Sequence, residues 1–589
     1  MSSNGVNLGT NMGCVVDWDP GKLPADLMWS ARPWSIIDGN GYNLQNWANI
    51  DSHGWPIVSV GTTFGAIFEM GAWPGTYKLS FTNRNAGTGD TVTIGGGGPS
   101  LSNRVHNSST NVTTYDVVVS SFNADQFIWL MWAGTTGGVT DVHLMRPLKD
   151  GSGWHAIGTP LSDHIIDRLQ HFTTIRTMQA GGGSDLTTGT DTTWAGRTKP
   201  WSAQTRSGDA GRFGGVAIEN LIAMANQANK DLWINIPFRA DDDYILKMAQ
   251  TLRYGSDGSA PYSSDQVSPV FVPLNPNLKL YVEHGNEIWN PGYGYWAGEN
   301  YNDSNAEISA GDANHYTYTS SDSGNWGYSW RRTGWLAVRH SRIFRTIFGD
   351  SAMMTRVRPV LATQHSRYAT TDEPLGYINS VWGQGLGSSK VSYGVVNQFG
   401  NVAQPVNYYI FALATAPYFP EDNTLLNVAS PATMLSGVLS QNESSAQEGI
   451  FVAAAYNYAR ANAFGLPYVA YEGGENLIPS LMSGGSTSAN VTNATLASYD
   501  PTQGAAMGAN IGSDGLPLAD QTGTAYGRVL SQWANIGGSL FVHFTLSSAA
   551  GSGGMFGLCP PSDQSGSDPR LESGPKWDAI KAFRKAWAY

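Results

Sequence analysis

Between Trp55 and Pro147 apolar and polar residues alternate in short stretches broken by glycine-rich turns, as in Gly75-Thr76-Tyr77-Lys78-Leu79-Ser80-Phe81 and Phe127-Ile128-Trp129-Leu130-Met131-Trp132. Period two at this spacing predicts antiparallel strands forming a jelly-roll-like β-sandwich. On such a sandwich Trp73, Trp129 and Trp132 are either core aromatics or a binding face. From about Ser162 the pattern becomes apolar strand, loop, amphipathic helix, repeated. It predicts strands over 173–178, 232–237, 278–285, 357–364, 409–417, 466–472 and 540–546, and helices over 216–229, 242–252, 328–348, 446–463 and 525–535. Strands alternating with helices over roughly 400 residues imply a parallel sheet, and that length favours a closed (β/α)8 TIM barrel.

Seven strands are one short of a barrel. The missing first strand is either 154–158 or, better, Val6-Asn7-Leu8-Gly9-Thr10-Asn11-Met12-Gly13-Cys14-Val15-Val16. The second choice makes the alternating region an insertion. Residues 1–39 then hold strand one and the segment after it, 40–148 the sandwich, and 149–589 the rest of the barrel. Closure would bring strands one and eight together, so Cys14 and Cys559 are either joined across the seam or two separate thiols.

Composition narrows the ligand. With 41% hydrophobic residues among 589, wholesale disorder is excluded, and no apolar run approaches the length of a membrane-spanning helix. Formal charge is −12, from 34 basic and 46 acidic residues without a basic cluster, which argues against nucleic acid. Only 14% of residues are charged while Gly reaches 70 and Trp 21. Neutral polar groups beside flat indoles suit a ligand with hydroxyls and apolar ring faces, such as a sugar. Two cysteines rule out a disulfide scaffold and a Cys-rich zinc site. The composition leads us to expect a secreted or periplasmic protein whose signal peptide has been removed. Nothing such as a heptad seam demands assembly, and the oligomeric state stays open.

In a barrel the working groups sit where strands end. Two predicted strands finish in a carboxylate: Leu278-Lys279-Leu280-Tyr281-Val282-Glu283-His284-Gly285-Asn286-Glu287-Ile288-Trp289-Asn290 and Leu466-Pro467-Tyr468-Val469-Ala470-Tyr471-Glu472-Gly473-Gly474. Two such glutamates facing each other are what glycosidic bond cleavage requires, one protonated and one ionised. Asn442-Glu443 repeats the dipeptide, but no apolar strand precedes it, and it reads as a loop or a helix start. Glu475 is a rival to Glu472, and Glu283 is expected to face the opposite side or the helix layer.

Asn-Glu at the end of strand four and a lone Glu at the end of strand seven resemble clan A of the retaining glycoside hydrolases, the (β/α)8 barrels that include cellulases, mannanases and xylanases. The longer string around Glu287 also resembles bacterial, largely uncharacterised barrel proteins related to cellulases. The resemblance implies a retaining β-glycoside hydrolase acting on a β-linked polysaccharide or oligosaccharide (glucan, mannan, xylan or algal galactan) without a cofactor or metal. By it Glu287 is the general acid/base, Glu472 the nucleophile and Asn286 the ligand of the sugar 2-hydroxyl. Arg176, in Thr-Ile-Arg-Thr, resembles the clan's arginine beside the nucleophile, and Tyr418 the residue that steadies it. Retention requires the two carboxyl groups to lie about 5 to 5.5 Å apart.

The sequence also departs from the clan. A strand-eight tryptophan is common there as a sugar platform, whereas Phe541-Val542-His543-Phe544-Thr545 offers only Phe and His. Trp289, Trp296, Trp326 and Tyr293 after strand four, and Trp194, Arg197 and Trp201 after strand two, are candidate replacements. His365 and His543 join the candidate substrate-binding residues. With His284 they lie near strand ends, but no His-x-His or HExxH spacing supports zinc. Asp241-Asp242-Asp243 reads as a helix cap with acids at the positive end of the dipole. The rival reading is a non-catalytic carbohydrate-binding or cell-surface protein on a hydrolase-like barrel.

Overall fold

The computed structural model describes residues 6–19, 21–38, 48–85, 91–95, 98–123, 125–181, 193–200, 215–290, 294–319, 325–383, 403–419, 430–443, 450–481, 488–500, 502–508, 524–548, 554–559 and 574–587. Eight parallel strands close into a barrel. In order they are Asn7–Asn11, Thr174–Arg176, Asp231–Ile236, Leu280–His284, Val357–Ala362, Ala412–Thr415, Tyr468–Ala470 and Leu540–His543, called strands one to eight below. Strand one falls within 6–16 and closes the ring, pairing Gly9 with Thr174 of strand two and with Val542 of strand eight. The other candidate, around Trp154, makes only an isolated bridge from Trp154 to Pro147. Gly9 suits the seam because a Cβ there would lie 2.9 Å from Val542 Cγ2 and 3.1 Å from Thr174 O.

Successive residues on each strand alternate between two apolar environments. Trp233, Tyr281, Val360, Ala412, Ala414, Val469, Leu540 and Val542 fill the barrel, with Trp233 and Tyr281 stacked at 5.1 Å. Leu232, Ile234, Leu280, Val282, Leu413, Tyr468 and Phe541 face the helices. This parity corrects the expectation for Glu283. It is in phase with Tyr281 and points into the barrel, because the strand ends at His284 and alternation cannot be counted through the turn to Glu287.

The expected helices form as Ile218–Ala228, Asp242–Tyr254, Asn325–Phe348, Ile450–Ala463 and Ala525–Ile536. Asp241 caps the second of them, accepting from Tyr244 N at 2.7 Å, as its acidic run suggested. Further helices at Gly294–Ser309, Pro431–Glu443 and Ser488–Tyr499 have weak or no apolar stripes, which is why periodicity missed them. Asn442-Glu443 therefore ends a helix rather than starting one.

The chain between strands one and two carries two four-stranded antiparallel sheets. One orders Ser35–Ile36, Phe64–Met70, Phe127–Ala133 and Thr91–Ile94; the other orders Val139–Met145, Gly75–Asn83, Val112–Val119 and Ser100–Asn107. They share a core in which Trp34 and Trp132 meet edge to face at 5.4 Å. Trp132 is thus core. Trp73 is buried beneath Arg146 and beside His164, and Trp129 is half-buried. Arg146 grips Glu69 with two nitrogens at 3.0 and 2.8 Å, and Lys22, on the segment after strand one, stands 3.6 Å from the same carboxylate. These buried charges tie the sheets to the barrel. Cys14 and Cys559 are both thiols. No helix among the described residues is long and apolar enough to cross a membrane.

Candidate active site

Arg176 organises the mouth of the barrel. Its guanidinium is buried at the end of strand two and serves four side chains. Nε and Nη2 fork onto Glu283, with contacts of 2.9 to 3.1 Å; Nη1 donates to Glu472 Oε1 at 2.6 Å and to Asn11 Oδ1 at 2.9 Å; Nη2 also donates to Asn286 Oδ1 at 2.8 Å. Burial works against this charge, but the Glu283 and Glu472 carboxylates outweigh it and raise the pKa further. Trp233 Nε1 donates to Glu283 at 2.8 Å, completing that carboxylate's cage. Burial still raises the Glu283 pKa, with Arg176 opposing.

Strands four, six and seven deliver the remaining groups. Past His284 the chain turns through Gly285, at φ +65°, and Glu287 itself adopts φ +50°. A Cβ at 285 would be 2.5 Å from Ile288 Cγ2, so the turn depends on glycine. The turn leaves Asn286 buried and Glu287 half-buried. Glu287 Oε1 accepts from Tyr471 Oη at 3.2 Å and Oε2 from Asn290 Nδ2 at 2.9 Å. Glu472, two residues past strand seven, accepts from Tyr418 Oη at 2.8 Å on the oxygen not facing Arg176. The bonded cluster thus joins strands one, two, four, six and seven.

The two glutamates differ in their partners. Glu472 has a cation; Glu287 is bonded by neutral donors. Burial, and then the negative charge of Glu472, push the Glu287 pKa up to about 7. Tyr418 and Tyr471 are held well above the usual tyrosine range by burial and by the neighbouring carboxylates, so both remain donors. Tyr418 lies edge-on to Phe544 and Phe556 at 6.3 and 6.1 Å, and these two rings meet at 5.3 Å. All three are half-buried and form an aromatic wall beside Glu472.

Glu287, Glu472, Asn286, Arg176 and Tyr418 come together in this way. Other sequence candidates lie elsewhere. Arg197 forks onto Glu219 of helix Ile218–Ala228 at 3.1 and 2.7 Å, under Trp194, whose indole donates to Ser259 O. That pair holds a loop to a helix. His543 is one residue out of phase with Val542 and is buried against Tyr526 and Phe541 in the helix layer. His365 is buried between Ile450 O at 2.8 Å and Thr415 Oγ1 at 3.1 Å, and His284 donates to Phe238 O at 3.0 Å. The three histidines do not converge, and no cluster of metal-ligating side chains is present among the described residues. Trp289 is buried beside the mouth with its carbonyl accepting from Trp330 Nε1, and Trp326 is half-buried on Tyr301. Trp201, Tyr293 and the side chain of Trp296 lie outside the described residues. Glu475 is wholly buried, paired with Lys576 at 2.7 Å and bonded by Ser498.

Sequence reasoning missed Asn11, Tyr471, Asn290, Phe544 and Phe556, and mis-aimed Glu283. Two of these carried a signal: a carboxylate in phase with inward Tyr281, and an asparagine ending an apolar strand.

No model of a known protein family matches the sequence, and no curated protein matches it. Among solved structures the chain is similar to a family 51 α-L-arabinofuranosidase from Bifidobacterium longum (9% identity, 73% of this chain and 67% of that one, TM-score 0.38). It is similar to a Bacteroidetes-affiliated GH5 cellulase linked with a polysaccharide utilization locus (11%, 74% and 86%, 0.32). A third likeness is to the hyperthermostable endo-1,4-β-D-mannanase of Thermotoga petrophila (12%, 72% and 94%, 0.30). At such identities and scores the likenesses assign no reaction, which has to be argued from the site itself.

Proposed function

We propose that the protein is a retaining β-glycoside hydrolase that cleaves a β-linked polysaccharide by double displacement. The observation that carries this reading is the asymmetry of the two glutamates. Glu287, raised to about 7 and bonded by neutral groups, is suited to hold a proton near neutrality. Glu472, ion-paired with Arg176 and oriented by Tyr418, is suited to attack as a carboxylate. In the first step Glu287 protonates the glycosidic oxygen as Glu472 bonds to the anomeric carbon and the leaving group departs. In the second, Glu287 takes a proton from water, which displaces Glu472. The Glu472 negative charge that raises the Glu287 pKa is consumed in the glycosyl ester, so the Glu287 pKa falls and the residue, having given up its proton, stays ionised and ready to take one from water.

Asn286 presents its Oδ1 to Arg176, which leaves its amide NH2 as the donor for a 2-hydroxyl. Phe544, Phe556 and Tyr418 supply the apolar wall for a pyranose face, in place of a strand-eight tryptophan. The two inserted sheets, which take in Ser35–Ile36 ahead of 40–148, are read as a β-sandwich accessory unit, and the protein as secreted or periplasmic.

The test is a reducing-end assay on β-glucans, mannans, xylans and algal galactans with wild type, Glu287→Gln and Glu472→Gln. New ends from wild type alone support the reading. Binding of a polysaccharide without new ends favours the non-catalytic alternative, and full activity in either variant ends the assignment.

A further inference from the structure

The segment leaving strand one holds a tryptophan whose exposure the chemistry at Glu287 and Glu472 does not explain. Trp18 is 41% exposed. Its neighbours on both sides are pinned. Asp17 is buried, its carbonyl accepts from Met70 N at 2.9 Å, and its carboxylate takes Arg32 Nε at 3.0 Å on each oxygen and Arg32 Nη2 at 2.9 Å. Asp19 is also buried. It accepts from Gly21 N at 2.6 Å, donates its own amide to Val16 O at 3.1 Å, and packs so close to Gly13 that a Cβ there would meet its Oδ2 at 2.6 Å.

Arg32 is held under the indole, its guanidinium carbon 5.7 Å from the Trp18 centroid, and on the inserted sheets it also lies 5.5 Å from the ring of Phe127. A ring–guanidinium–ring stack therefore spans the junction of barrel and insertion. A cation at such a distance attracts the indole and restrains it. The result is a large apolar plane, fixed before any ligand arrives, with much of its surface in water. Preorganised aromatic planes bind without paying to order themselves.

The plane sits on the segment that leaves the C-terminal end of strand one, the end of the barrel that carries the candidate active site. Asn11 ends strand one and binds Arg176 of the candidate active site. Gly13 is two residues further on and in contact with Asp19, so the Trp18 Cα stands within roughly 19 Å of the Asn11 Cα by chain geometry. That is a span of a few sugar rings.

Resting on the glycosidase reading above, we propose that Trp18 is a remote stacking subsite for a pyranose ring of a polymeric substrate, held in place by the Asp17–Arg32 pair. The site selects long chains over short ones and contributes nothing to bond cleavage itself.

The test uses the full chain as wild type, Trp18→Ala and Trp18→Phe. Hydrolysis is measured on p-nitrophenyl β-glycosides of glucose, mannose and xylose and on the matching hexasaccharides. Migration is followed through native gels containing mixed-linkage glucan, mannan or xylan. Trp18→Ala is expected to raise KM on the hexasaccharide roughly tenfold, the loss of one aromatic contact. It should leave the aryl glycoside within about twofold and abolish gel retardation, with Trp18→Phe keeping most of both. An equal loss on short and long substrates, or no change on the hexasaccharide, overturns the proposal. Wild type that cleaves nothing but is retarded through Trp18 contradicts the hydrolase and keeps the platform. Cleavage of both substrates with Trp18→Ala indistinguishable from wild type does the reverse.

Discussion

Two buried arginines in this molecule make the same kind of fork and end in different electrostatic states. At the junction of insertion and barrel, Arg146 forks onto Glu69, and Lys22 stands beside the same carboxylate. Cation and anion are matched there, because the Arg146 fork closes on Glu69 and the buried Asp17 and Asp19 also act on Lys22, and the group has one evident task, to hold the inserted sheets on the barrel. In the barrel mouth one guanidinium, Arg176, is shared by Glu283 and Glu472 while the third carboxyl, Glu287, is held by neutral donors. Anion exceeds cation there, and burial, then the Glu472 charge, raise the Glu287 pKa. Burying charge requires compensation in either place. Where compensation is incomplete a carboxyl keeps its proton closer to neutrality, as Glu287 does in the mouth.

The largest expected effect separates the two regions by their readouts. Glu287→Gln or Glu472→Gln lowers kcat by at least about a thousandfold with the fold intact, whereas Glu69→Gln costs about 3–5 kcal/mol of stability and leaves the kcat of folded protein unchanged. Urea unfolding followed by circular dichroism, together with turnover per folded molecule, measures both. Loss of activity without loss of stability in Glu69→Gln would erase the distinction.

Glu283→Gln sharpens the comparison inside the mouth. Weakening the fork frees Arg176 to shift away from Glu472, so kcat falls by up to about a hundredfold while KM changes little. Steady-state kinetics on one substrate decide this, and a rise in KM alone would place Glu283 in binding instead.

A smaller effect follows from the Glu287 proton. Its folded pKa, about 7, lies above the ordinary glutamate value of 4.5. The stabilisation of the protonated form is complete below the unfolded pKa and is lost as pH rises through the folded one. Glu287→Gln removes that loss, so the variant should gain stability over wild type between pH 5 and pH 8, by on the order of 3 kcal/mol at most. Thermal unfolding at the two pH values measures it. By the same proton, activity should decline on the alkaline side of about pH 7.

The barrel was legible because its strands are apolar runs separated by amphipathic helices, and even weak strand one, with its central glycine, could be placed by counting. Glu287 and Glu472 were legible for a related reason, since strand ends are where a barrel puts its polar groups, whereas Asn286, Arg176 and Tyr418 came from the resemblance to clan A. What stayed hidden depended on facing. His543 follows an inward Val542 and therefore turns to the helices, and Glu283 shares the phase of Tyr281 and turns in. Arg197 and Trp194 find partners far away in sequence, at Glu219 and Ser259, which no local pattern announces. Phe544 was seen as a mere departure from tryptophan until its contact with Tyr418 placed it beside Glu472.

The most direct test traps the covalent step. Incubation with 2-deoxy-2-fluoro-β-glycosyl fluorides of glucose, mannose and xylose, followed by intact mass and peptide mapping, should show one fluorosugar on the peptide that contains Glu472. A label on any other residue, Glu287 and Glu283 included, would contradict the account.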